Sequence, residues 1–216
     1  MLSKKDILEY FEELNRRLWQ RNIHGELLLA GGAALSLVYN ARESTQDIDA
    51  VFKPSKAIRN VILEMAEEDD LEEDWLNDGV KGFIDTEKIK IEVYLEYSNL
   101  KINVINAEGL LAMKLTSARD NEKDLNDSIV LIKKLDIKTI EEVYEIIERL
   151  LPKTRQTPQS FYFTQYAFEN YLETKQEQRV SLFQESHDVK EASAEIEVDS
   201  INTHTTLQID QKSDNR

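Results

Sequence analysis

Asp47 and Asp49 stand one residue apart, with Ile48 between them, and the doublet Gly31-Gly32 lies 15 residues upstream of Asp47. The rest of the segment, "DIDAVF", is apolar, so it reads as a strand. A strand's period of two puts both carboxylates on one face. Two carboxylates held that close repel unless a cation lies between them. Hard divalent cations such as Mg²⁺ select carboxylate oxygens and complete their shell with water and substrate phosphates. The pattern therefore points to a metal site at Asp47 and Asp49. The alternative is structural: one aspartate caps a turn while the other faces water. Glu68/Asp70 and Glu72/Asp74 share the spacing and read as solvated helix faces.

The glycines suggest matching chemistry. "ELLLAG" (26–31) is a short apolar run stopped by glycine, and "AALSLVYN" (33–40) continues as a helix. With no side chains at the turn, backbone N–H groups at the helix start can approach a phosphate. Tight strand–helix packing without a ligand explains a lone Gly-Gly equally well.

The elements that must hold these residues follow from periodicity. Residues 4–22 form an amphipathic helix on Ile7, Leu8, Phe11, Leu14 and Leu18, with Ser3 and Asp6 as a capping box. A helix runs from Ser55 to about Glu67. The acidic stretch that follows begins helical and loosens at Gly79 and Gly82. "KIKIEVYLEY" (88–97) alternates cleanly, with Ile89, Ile91, Val93 and Leu95 on one face and Lys90, Glu92, Tyr94 and Glu96 on the other. "KINVI" (101–105) is a further strand. Helical patterns occupy about 107–119, 124–135, 139–150 and 159–172. The expected class is α+β (α/β mixed): a mixed β-sheet flanked by helices, then a helical C-terminal part. The domain spans 1–173, with its sheet-containing core over about 1–105 and its helical part over about 106–173. Residues 174–216 have no sustained apolar period and read as an acidic, disordered tail.

Composition narrows the function classes. The chain has 216 residues, no cysteine and a net charge of −15. No thiolate metal site or disulfide framework is available. The charge argues against broad electrostatic binding of nucleic acid, leaving local patches such as Lys53, Lys56 and Arg59 or Lys133, Lys134 and Lys138. No run of 18 apolar residues exists, so the expectation is a soluble, cytoplasmic protein with no membrane partner.

Taken together, strand, Gly-Gly, helix, the loop Arg42-Glu43-Ser44-Thr45, and Asp-Ile-Asp on a second strand resemble the signature of the nucleotidyltransferase superfamily, the DNA polymerase β-like fold. "WLNDGVKGFI" (75–84), "EGLLAMKLTSARDNEKDLNDSIVLI" (108–132) and "RLLPKTRQTPQSFYF" (149–163) resemble a narrower family, the small bacterial nucleotidyltransferase-like proteins of DUF6036, over residues 5 to 172. The wider group includes toxin-type enzymes of abortive-infection and toxin–antitoxin systems. The resemblance implies a Mg²⁺-dependent enzyme, with one or two ions, that moves a nucleoside monophosphate from an NTP such as ATP to an acceptor hydroxyl. The acceptor would be an RNA 3′-end, a protein or a small molecule, and an antitoxin-like protein is the implied partner. It implies Asp47 and Asp49 as metal ligands and Glu92 as the third catalytic carboxylate. Gly31, Gly32, Ala33, Thr45, Lys114 and Arg119 become nucleotide contacts.

Two of these have structural alternatives. Lys114 sits among leucines and either snorkels to solvent or binds triphosphate. Arg119 and Asp127 could form a salt bridge between successive helices. Asn77 and Asp78 match the family pattern without an assigned role. A second reading is a catalytically inactive protein on the same fold, acting as a protein-binding module. Convergence of Glu92 on the two aspartates favours the enzyme; its pointing away favours the binding module.

Overall fold

A computed structural model describes residues 1–82, 87–117, 122–181 and 184. The chain divides into two units, Met1–Glu169 and Asn170–Arg216. In the second, residues 170–181 are helical, so the expected disordered tail is helical over 174–181, and the rest of it lies almost wholly outside the described residues.

The first unit is α+β, as its patterning predicts. β1 (Leu2–Ser3) leads into α1 (Lys4–Gln20), β2 (Gly25–Leu29), α2 (Gly31–Tyr39), β3 (Ser44–Thr45) and β4 (Ile48–Lys53). There follow α3 (Ser55–Glu68), β5 (Leu76–Asn77), β6 (Ile91–Glu96) and β7 (Leu100–Ile105). Then come α4 (Ala107–Ser117), α5 (Glu122–Lys134) and α6 (Ile140–Leu150), and residues 158–169 are helical. The central sheet has the order β5-β4-β2-β7-β6. β2 runs antiparallel to β4 and parallel to β7, so its C-terminal turn into α2 lies beside the start of β4.

α1 forms where predicted. Ser3 accepts from the Asp6 backbone and Asp6 accepts from the Ser3 backbone, which satisfies two free amides of the first turn. Ile7, Phe11, Leu14 and Leu18 are fully buried at spacings of four, three and four, one stripe of a helix. Beside this stripe, α1 is tied to α3 by charge. Arg17 bonds Glu13 at 2.6 Å and Glu68 at 2.7 Å. The Arg16 guanidinium hydrogen-bonded to Glu13, helped by Arg17, pulls the Glu13 carboxyl from 4.5 down to about 2. Because the folded value lies below the unfolded one, this stabilisation is full above about pH 4.5 and disappears as pH falls towards 2. Glu13→Gln is therefore expected to cost about 1 kcal/mol at neutral pH, after allowing for solvent screening of Arg16. Acid titrations of both proteins should converge between pH 4.5 and 2.

β6 departs from the expected alternation. A bulge between Val93 and Leu95 sets Ile91 and Val93 on one face with Ile105 and Asn103, and Leu95 on the other with Ile102. The extra residue breaks the period of two. Ile91 and Val93 are consequently 39% and 57% exposed on an edge strand, rather than part of a buried apolar face. Among the described residues, no helix is long and apolar enough to cross a membrane.

Candidate active site

The double glycine of the β2–α2 turn is a steric requirement of the site. Gly31 adopts φ +55°, a left-handed conformation that glycine reaches without strain. A Cβ at Gly31 would overlap Asp49 Oδ2 and lie 3.2 Å from its Cγ and 3.3 Å from its Cβ. A Cβ at Gly32 would overlap Thr45 Oγ1 and meet Arg42 Nη1 at 2.9 Å. The backbone amide of Ala30 donates to the Asp49 carbonyl at 2.9 Å, which locks the turn to β4. No side chain caps the start of α2, so the first amides of the helix are not capped by a side chain.

Gly31→Ala is expected to destabilise the protein by about 2 kcal/mol, from strain at positive φ and from displacing Asp49. In a domain of this size that lowers Tm by roughly 4–8 °C. The cost should shrink when Asp49 is first shortened to alanine. Additive costs in such a double-mutant cycle would show that the two positions do not touch.

Asp47 and Asp49 lie together at the junction of two lobes of one cleft. The first lobe, about 620 Å³, includes Asp74, Asn77, Val80, Leu110, Met113 and Arg155. The second, about 710 Å³, includes Gly32, Arg42, Ser44, Thr45, Lys123 and Asp127. Gln46, Asp47, Asp49, Lys114 and Asp124 line both. The expected pairing of the aspartates with the glycine turn is thus present as geometry, and Thr45 and Lys114 share the cleft.

Lys114 neither snorkels nor stands free. Its Nζ lies 2.5 Å from Asp124 Oδ1 and 3.0 Å from Asp127 Oδ2. Asp127 in turn takes both arms of Arg42, with Nε at 3.0 Å. Asp127 therefore joins Arg42, from the loop before β3, to α4, whereas the sequence suggested Arg119. Arg119 lies outside the described residues. Side-chain exposures of 15%, 8% and 3% for Lys114, Asp124 and Asp127 make this a largely desolvated network. The basic runs considered for RNA are partly used up: Arg59 pairs with Asp78 at 2.7 Å, and Lys138 pairs with Asp136.

Glu92 is not brought to this cleft. In the sheet it is level with Val104, Leu29 and Ala50, three strands away from β4. At about 4.8 Å per strand the separation is roughly 14 Å. Ala50 also faces away from Asp49, its neighbour in the strand. Glu92 instead pairs with Lys90 at 3.1 Å. Its charge, added to the larger effect of burial, raises the pKa of Tyr39 at the far end of α2. The expected convergence fails because the strand carrying Glu92 is the opposite edge of the sheet from β4 and β5.

The sequence reading gave no role to Asn77, which donates from Nδ2 to Asp47 Oδ2 at 3.0 Å. Its signal was the Asn-Asp-Gly turn that ends "WLNDG", since an asparagine there hydrogen-bonds the backbone two residues on. A family model described as a nucleotidyltransferase of unknown function (DUF6036) matches residues 5–176. No curated protein and no solved structure matches the chain.

Proposed function

Because the chain belongs to the DUF6036 nucleotidyltransferase family, we propose that it moves a nucleoside monophosphate from an NTP to a hydroxyl of an acceptor, with Mg²⁺. The acceptor hydroxyl gives its proton to water, its oxygen forms a bond to the α-phosphorus, the bond from that phosphorus to the α,β-bridging oxygen breaks, and pyrophosphate leaves. The carrying observation is the contact between the Gly31 backbone and the Asp49 carboxylate, which joins an uncapped helix start to a pair of acids.

The donor set fits Mg²⁺ arriving with a nucleotide. Among the described residues, no group of three or more acids or histidines could hold a metal alone. Two carboxylates satisfy part of an octahedral shell, and Mg²⁺ takes its remaining ligands from phosphates and water. Once bound, the metal would supply charge neutralisation at the reacting phosphate. The residues of the chain orient and balance charge. The first amides of α2, at Gly32 and Ala33, face the phosphates. Arg42 and Lys114 offer positive charge in the second lobe, and Val80, Leu110 and Met113 give the first lobe an apolar wall against the nucleoside.

The displacement of Glu92 supports a second reading, a catalytically inactive protein on this fold that acts as a binding module. One experiment separates the two. Full-length protein is incubated with Mg²⁺, each α-labelled NTP, and cell RNA, protein or small-molecule extract. Label transferred to an acceptor supports the enzyme. Nucleotide bound with no transfer supports the second reading, and no nucleotide binding at all overturns the first.

A further inference from the structure

We infer that Asn77 is a positioning residue that holds the Asp47 carboxylate in the geometry the metal–nucleotide complex requires; this rests on the cleft being a nucleotide site. β5 is only two residues long, yet it is firmly anchored. It runs parallel to β4 with Asn77 opposite Asp49, and the Ile48 amide donates to the Trp75 carbonyl at 2.7 Å. Trp75 is 2% exposed, donates from Nε1 to the Ile62 carbonyl at 3.2 Å, and packs against the Tyr10 ring at 5.2 Å. A buried indole thus fixes the backbone two residues before Asn77.

The amide of Asn77 has one permitted orientation. Its Oδ1 accepts from the Gly79 amide at 3.0 Å, so Nδ2 must face Asp47 Oδ2 at 3.0 Å, with the Asp74 carbonyl at 3.4 Å. Flipping it would set an NH₂ against an N–H and a carbonyl against a carboxylate, losing both bonds. The donor is therefore aimed, not incidental.

The chemistry of the residue also fits the task. Asp47 and Asp49 repel, and something must fix Asp47 before a cation arrives. A lysine or arginine would do so but would compete with the metal for the same charge. A neutral amide orients one oxygen and leaves the carboxylate its full charge. Among the described residues, Asp47 Oδ1 makes no hydrogen bond, so it is the oxygen left for a cation.

The test uses Mn²⁺ as the probe, titrated into the full chain with a non-transferable ATP analogue and followed by electron paramagnetic resonance. Asn77→Ala removes both bonds. Asn77→Ser keeps an acceptor for the Gly79 amide but cannot reach Asp47, so it isolates the lost donor. Loss of such an outer hydrogen bond typically weakens metal affinity about 10–100-fold, and that shift is expected for both variants. Asn103→Ala is the structural control. Asn103 is also buried, but its amide serves Glu26 at 2.6 Å, so its loss should lower Tm without changing Mn²⁺ affinity. Tight Mn²⁺ binding by the wild type with Asn77→Ser within twofold of it would overturn the inference. Absence of Mn²⁺ and analogue binding in the wild type would instead bring down the nucleotide reading, and this inference with it.

Discussion

Asp49→Asn is expected to abolish nucleotide transfer while leaving the protein folded. The amide has nearly the volume of the carboxylate, so the crowded contact with Gly31 stays filled. What is lost is one of the two carboxylates at the lobe junction, the proposed metal ligands. A bound metal contributes several kcal/mol of charge stabilisation in a transfer of this kind. At 1.36 kcal/mol per decade, losing its proper placement lowers the rate about a thousandfold or more. The melting temperature should hold or rise, because the variant removes repulsion between Asp47 and Asp49. Transfer of label and a thermal melt on the same preparation check both halves. Wild-type transfer by this variant would mean that the aspartates do not serve the reaction.

Lys114→Ala is expected to have the largest effect on stability. Alanine is a good helix former, which taken alone would make the effect mild. The structure changes that expectation. Lys114 neutralises Asp124 and shares Asp127 with Arg42. Removing it takes a cation away from two nearly buried carboxylates, Asp124 and Asp127. Breaking a buried pair from one side costs about 3–5 kcal/mol. In a domain of this size that is roughly 6–20 °C in Tm. Lys114→Ala with Asp124→Asn should regain part of the loss, because one of the two buried carboxylates that shared the lysine is then neutral. If the single variant melts like the wild type, the ion pairs contribute nothing to the fold. Nucleotide affinity, measured calorimetrically on the stabler double variant, should still fall, but by less than the roughly ten- to a hundredfold that loss of an unopposed charge-assisted contact of about 1.5–3 kcal/mol implies.

Much of the frame was readable before any coordinates. The stripe Ile7, Phe11, Leu14, Leu18 and its Ser3 cap define α1, because local periodicity and local hydrogen bonds decide both. Asp47 and Asp49 share a cleft with the glycine turn because strand alternation and a short connection leave few alternatives. The failures involve non-local information. Nothing local in "KIKIEVYLEY" announces the bulge at Val93/Leu95, and nothing in it tells which edge of the sheet the strand joins. Glu92 was misplaced for that reason. Likewise Arg42 and Asp127 are 85 residues apart, and no spacing rule connects them. Asn77 matches the family pattern without an assigned role, because its partner Asp47 is 30 residues upstream.

The Arg42–Asp127–Lys114–Asp124 network makes anion binding in the second lobe a competition. A triphosphate that reaches these cations must displace carboxylates already seated on them, so the chain carries its own rival ligand. Net affinity is then the difference between two sets of ion pairs, smaller than either alone. Added salt weakens both sets, so affinity falls less steeply with ionic strength than it would for two unpaired surface cations. The same rivalry acts after the reaction. On the proposed reaction, the departing pyrophosphate would meet the same competition, because Asp124 and Asp127 stand adjacent and tethered beside Lys114 and Arg42. Carboxylates that the substrate pushes aside would then favour release of the product.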